Sequence, residues 1–192
     1  MNHRLVFGWC ILKVFIIRRL IKKMKQLILI RHAKSSWNNL GLKDIERPLN
    51  GRGKNDAPLM AELVSESVDP PDLILCSTSK RTRQTVKYFS DSWKLPKDKI
   101  FFLDAIYHAS AEELLFLIRR IDESIFSAAI VGHNPGLTYL VDELVSSGAP
   151  ENMPTCGVAV LRSSSEYWSN FDSERVELIK YFYPKGDLNS YN

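Results

Sequence analysis

Apolar residues recur along this chain in short blocks separated by stretches of helical spacing. The first block, Leu27–Ile30 (LILI), is continuous rather than alternating, the pattern of a strand buried on both faces. Similar blocks follow at Asp72–Cys76 (DLILC), Lys99–Leu103 (KIFFL) and Ser127–Gly132 (SAAIVG). The intervening stretches predict helices. One is capped by Asn50 and runs to about Ser67, with Pro58 restricting where its first turn begins. A second is capped by Ser79 or Thr78 and runs to about Trp93; a third opens on a capping box, Ser110 with Glu113, and runs to about Asp122. The fourth spans Pro135 or Gly136 to about Val145. Asp69-Pro70-Pro71 breaks the chain ahead of the second strand. Two last runs, Gly157–Arg162 and Arg175–Phe182, read as a hairpin with a polar, Ser-rich connection, and the final PKGDLNSYN is polar and expected to fray.

Strands alternating with helices predict an α/β protein, a three-layer α/β/α sandwich with a mainly parallel central sheet. In such sheets the crevice that holds ligands lies beyond the carboxyl ends of the strands, which is where chemistry is sought. A chain of 192 residues is long enough for one domain with a real core, and 45% hydrophobic with 25% charged residues excludes disorder, collagen-like repeats and a polytopic membrane protein. Cys10, Cys76 and Cys156 are too few and too scattered for a disulfide framework, and no CxxC pair points to zinc. The expected compartment is reducing, the cytoplasm by default.

The net charge of +4 is unevenly placed. Residues 1–23 hold six basic side chains (Arg4, Lys13, Arg18, Arg19, Lys22, Lys23) and no acid, which leaves 20 basic against 22 acidic residues in 24–192. The folded part is therefore slightly acidic, unlike a nucleic-acid-binding domain. Within the leader, LVFGWCILKVFII (residues 5–17) breaks at Lys13, short of the ~20 apolar residues that span a bilayer. Its basic residues follow the apolar run instead of preceding it, opposite to a secretory signal. Three readings stay open: a membrane-surface helix, a packed or partner-binding helix, or a segment outside the working protein, with Met24 as its start and 24–192 as the domain.

Three strand ends carry unusual residues. The first runs into Arg31-His32-Ala33-Lys34-Ser35-Ser36, the second into Ser77-Thr78-Ser79-Lys80-Arg81-Thr82-Arg83-Gln84-Thr85, and the fourth into Gly132-His133-Asn134-Pro135-Gly136. Taken singly, each has an ordinary structural explanation. Gathered at one sheet edge, two imidazoles and two guanidiniums repel one another unless an anion sits among them. Arginine forks and helix-start amides fit a phosphoryl group. A histidine in such a pocket is an available nucleophile near pH 7, and covalent catalysis splits one displacement into two. The scheme needs no metal or cofactor, and the sequence has no Walker A loop, DxD pair or HExxH.

LILIRHAKS, the stretch Asp44–Gly53 (DIERPLNGRG), Ser77–Thr85, the YHAS turn (Tyr107–Ser110) and VGHNPGL (Val131–Leu137) together resemble the histidine phosphatase superfamily, within it the small SixA-type phosphohistidine phosphatases. The similarity runs from about residue 24 to the C-terminus. It implies a phosphoglycerate mutase-like fold. It implies His32 as the nucleophile that forms a phosphohistidine, Arg31 and Arg81 as ligands of the phosphoryl oxygens, and His133 as the group completing the pocket, with Asn134 and Ser77 in support. Arg83 is off the family's arginine position and is expected at the surface. Asp44 and Arg47 match the loop after the first motif and are expected to pair internally. Larger members carry an acid after the third strand; the aligned position falls at Ala105, with Asp104 beside it as the candidate and His108 as a second. A weak acid is tolerable for a P–N bond and costly for a P–O bond. The 169 residues from Met24 leave little room for lids. The substrate implied is a phosphohistidine-bearing protein. A small phosphoester, or a phosphate-binding module without catalysis, is the alternative; nucleic acid is not expected, and membrane-surface contact falls to residues 5–23.

Overall fold

The computed structural model describes residues 24–39 and 41–184. The basic leader and the last eight residues, with the expectations attached to them, lie outside the described residues. Six strands form one sheet: β1 (Gln26–Arg31), β2 (Leu73–Ser77), β3 (Ile100–Leu103), β4 (Ser127–Gly132), β5 (Val158–Ser163) and β6 (Val176–Phe182), in the order β3-β2-β4-β1-β5-β6. The pairs β1·β4, β2·β4 and β2·β3 are parallel. β5 returns antiparallel to β1, and β6 antiparallel to β5, so the expected terminal hairpin sits at one edge of a mostly parallel sheet.

Four helices cover it: α1 (Gly51–Ser67), α2 (Lys80–Ser92), α3 (Ala111–Ile118) and α4 (Gly136–Leu144). Successive residues of β1 serve opposite faces. Leu27 and Leu29 pack with Leu114, Ile118, Leu137 and Leu140 of α3 and α4; Ile28 and Ile30 pack with Met60, Val64 and Phe89 of α1 and α2. Both faces are covered, which is why LILI is apolar throughout rather than alternating. Cys76 and Cys156 are free thiols inside the second of these cores.

α1 runs as expected from the Asn50 cap, which accepts from the Gly53 N–H, to Ser67, with Pro58 inside it. Its start is fixed by contact: a Cβ at Gly53 would lie 2.2 Å from the Lys34 carbonyl oxygen, so the helix start is packed onto the loop that follows β1. One helix departs from expectation. α3 stops at Ile118, four residues before the expected Asp122, where Arg119 caps it.

The order of strands places the chemistry. β4 lies between β2 and β1, with Arg31 opposite Gly132 and Cys76 opposite Val131, so the carboxyl ends of these three strands are neighbours.

Candidate active site

The loop after β1 is pinned from both sides. The His32 N–H donates to the Gly132 carbonyl of β4 at 3.1 Å, and the Cys156 N–H reaches the carbonyls of Arg31 and His32. The Ala33 N–H donates to Thr85 Oγ1, which itself donates to the Arg81 carbonyl, tying this loop to α2. The His32 ring is buried, and its Nδ1 stands 2.8 Å from the Ala33 carbonyl oxygen. A carbonyl only accepts, so Nδ1 carries the proton and Nε2 the lone pair. Burial first, and then the positive charges of Arg81, Arg31 and Arg47, push the ring down to about 4, so it is neutral at pH 7.

α2 starts at the carboxyl end of β2 through its own hydroxyls. Ser79 accepts from the Thr82 N–H, and Thr82 Oγ1 donates to the Ser77 carbonyl. The register turns Arg81 inward and Arg83 outward, since residues two apart on a helix face away from each other. Arg81 is 4% exposed. Arg83 is exposed; it donates to the Thr78 carbonyl and lies 4.0 Å over the Phe102 ring.

β4 delivers His133. Its ring centroid lies 5.1 Å from that of His32. Nε2 is 2.8 Å from Ser77 Oγ, and Nδ1 is 3.4 Å from Arg81 Nη2. Burial, with His32, Arg81 and His108 adding to it, pushes this ring down to about 2. Asn134 turns sideways: its amide nitrogen donates to Thr138 Oγ1, Asn152 Oδ1 and the Met153 carbonyl, securing the loop that carries Met153. Arg31 donates through Nη1 to that same carbonyl. Among the described residues its buried Nε has no hydrogen-bond partner, and neither has Asn134 Oδ1.

The carboxylate at the centre is Asp44. Its Oδ2 accepts from Arg81 Nη2 at 2.8 Å and from the Tyr107 hydroxyl at 2.7 Å; its Oδ1 accepts from Arg47 Nη1 at 2.7 Å. Burial pushes Asp44 up, but the hydrogen bonds from Tyr107, Arg81 and Arg47 outweigh it and hold the carboxyl well below its ordinary value. The expected Asp44–Arg47 pair exists and is one arm of this larger network. Asp104 stands elsewhere. A 3-10 turn at Asp104–Ile106 sends Ile106 into the core and leaves Asp104 exposed, with its carboxylate accepting from Thr78 Oγ1 at 2.6 Å. Among the described residues it touches none of His32, His133, Arg31 or Arg81. The reading of spacing missed Asp44 as a centre and Thr85 as a brace; both sit inside motifs quoted above, so the signal was present without its geometry.

A groove of about 680 Å³ flanks the Arg31 side, lined in part by Asn152, Pro154, Tyr181 and Tyr183, and includes neither His32 nor His133. Among the described residues no group of three His, Cys, Asp or Glu is placed to hold a metal ion, and no helix is long and apolar enough to cross a membrane.

A sequence profile of the histidine phosphatase superfamily (branch 1) matches residues 27–113. SixA from Agrobacterium tumefaciens is 31% identical, with a TM-score of 0.72 covering 83% of this chain and 98% of that one. The chain belongs to the histidine phosphatase superfamily. An uncharacterized chloroplastic protein of Arabidopsis thaliana is 33% identical over 152 residues, 75% of this chain and 69% of the relative. A structure of the protein histidine phosphatase SixA complexed with tungstate shares the fold at 21% identity, TM-score 0.68, covering 83% of this chain and 97% of that one. The fold is thereby the phosphoglycerate mutase-like one of this superfamily, and membership supports phosphatase activity.

Proposed function

We propose that this chain is a phosphatase that removes the phosphoryl group from phosphohistidine on a partner protein, by way of a phosphohistidine formed on His32. The observation that carries the reading is the pair of neutral imidazoles 5.1 Å apart, one with its Nε2 lone pair unengaged, beside the buried Arg81 guanidinium. Nε2 attacks phosphorus as the bond to the substrate nitrogen breaks. Water then attacks the same phosphorus, the P–N bond to His32 breaks, and phosphate leaves. Arg81 and Arg31, the latter with its unpartnered Nε, bind the phosphoryl oxygens, supplying positive charge and donors where negative charge accumulates, and His133 closes the pocket beside Arg81. Ser77 orients His133, and Asn134 holds the loop behind Arg31.

The substrate class rests on the lack of a ready carboxylic acid at the centre. Asp44 is held ionised by three donors and Asp104 faces Thr78, so no protonated carboxyl stands ready for an alkoxide-like leaving group. An imidazole, once protonated, departs far more readily. The groove beside Arg31 gives a protein surface a place to lie. The test is a screen without added metal, comparing a protein phosphorylated on histidine, phosphoramidate and a panel of phosphate monoesters. Release from the phosphohistidine protein, with acid-labile ³²P on wild type and none on His32→Ala, is the expected outcome. Vigorous turnover of a sugar phosphate with little release from the protein overturns the substrate assignment; absence of label on His32 overturns the mechanism.

A further inference from the structure

We propose that His108 is the proton donor to the departing atom, an inference that rests on the phosphatase reading above. The other groups at the centre are committed. The Tyr107 hydroxyl already donates to Asp44 Oδ2, both nitrogens of His133 face protein partners, and the carboxylate of Asp104 is turned to Thr78. His108 alone among the described imidazoles stands open to water, with its side chain 58% exposed, so it can be recharged with a proton after each turnover.

A left-handed turn puts it there. The His108 backbone has φ 57°, a conformation uncommon outside glycine that Asn, Asp and His tolerate best. The turn brings the ring to 4.1 Å from that of Tyr107 and 5.7 Å from that of His133, the ring adjoining His32. It also brings Nε2 to 3.5 Å from Asp44 Oδ2, within ion-pair distance and too long for a strong hydrogen bond, so the nitrogen is not tied to the carboxylate. The next residue locks the turn: a Cβ at Gly136 would lie 2.0 Å from the Ala109 carbonyl oxygen, so the start of α4, three residues past His133, is packed directly on it. His108 thus meets Asp44 from the loop after β1, Tyr107 from its own turn and His133 from the end of β4, and on its outer side it shares a hollow with Glu112, Glu113 and Glu143.

The step balances. His32 Nε2 forms a bond to phosphorus, the bond from phosphorus to the leaving atom breaks, and the His108 Nε2 proton passes to that atom. In the second half the attacking water returns a proton to His108 as its oxygen bonds to phosphorus and the P–N bond to His32 breaks.

The experiment compares leaving groups. His108→Asn keeps a residue that tolerates the left-handed backbone. With p-nitrophenyl phosphate, whose leaving group needs little help, and phenyl phosphate, whose leaving group needs more, the ratio of kcat/KM for the first over the second rises at least about tenfold in the variant, within the usual range for a lost general acid. A loss that is equal for both substrates makes His108 a structural residue and overturns the proposal, as does an unchanged rate with both. Acid-labile ³²P is measured in parallel. Label on His32 of the wild type together with an unchanged ratio sinks only the role of His108; no label on the wild type sinks the underlying reading and this inference with it.

Discussion

His32 suits the nucleophile's part proposed for it because its surroundings deny it a proton. The ring stands at about 4 in the fold against 6.5 in an unfolded chain, burial being the main cause. Between these values the unfolded chain binds more protons than the folded one, so stability is complete above pH 6.5 and falls as the pH drops through about 4, by roughly 1.4 kcal/mol per unit. His133, at about 2, extends the loss to lower pH. Urea unfolding at pH 7 and pH 4.5 checks this: His32→Asn is expected to lose less stability across that interval than wild type. Arg81→Ala is expected to cost roughly 3 kcal/mol of transition-state stabilisation, about two orders of magnitude in kcat, comparable with removal of an oxyanion donor. Circular dichroism should show the fold retained, since the side chain's partners are Asp44 and His133 rather than the core. Asp44→Asn removes the countercharge shared by Arg81 and Arg47; about tenfold in kcat/KM is expected, the worth of one hydrogen bond to a charged group.

At the scale of elements, helix starts position the site, and glycines set their depth. Gly53→Ala drives a methyl to 2.2 Å from the Lys34 carbonyl, and Gly136→Ala drives one to 2.0 Å from that of Ala109. Each backbone must yield, so each substitution is expected to cost about 2–3 kcal/mol in urea unfolding and to lower activity by shifting the residues beside His32 or His108. Gly51→Ala, with nothing within 4 Å, is the contrast, expected to be neutral or to stabilise by up to about 1 kcal/mol. These contacts explain what was legible in the sequence and what was not. Continuous apolar runs and caps such as Asn50 and Ser110 are local signals, and the strands and helices follow them. The two histidines and Arg81 were legible because each directly follows a strand or starts a helix, so topology alone brings them together. Asp44 sits in a loop whose course is decided by tertiary contacts, and no spacing rule carries it to Arg81 and Tyr107. Asp104 was one residue from the position sought, but burial of Ile106 settled which way that turn faces.

For the molecule as a whole, the described residues hold a six-stranded sheet and the side chains placed at the centre, and the family match begins at 27. We propose accordingly that 24–192 is the phosphatase domain: a chain started at Met24 is expected to keep the kcat/KM of the full chain on a phosphohistidine protein, and an assay of the two side by side decides it. Charge follows the same division, since the basic excess belongs to residues 1–23 and the remainder is slightly acidic. Salt should therefore weaken phosphate binding at the centre without any steep dependence of the kind seen on polyanions.

The proposed use of imidazole rather than sulfur as the attacking atom has a chemical consequence. The thiols of Cys76 and Cys156 are sealed in the core, and burial pushes Cys76 up to about 12 and Cys156 higher still, so neither exists as thiolate at neutral pH. Peroxide reacts with thiolate, and enzymes that attack phosphorus through sulfur are disarmed by it. This centre offers an oxidant nothing of that kind to consume, so its turnover should persist through an oxidative burst that silences cysteine-dependent enzymes in the same solution.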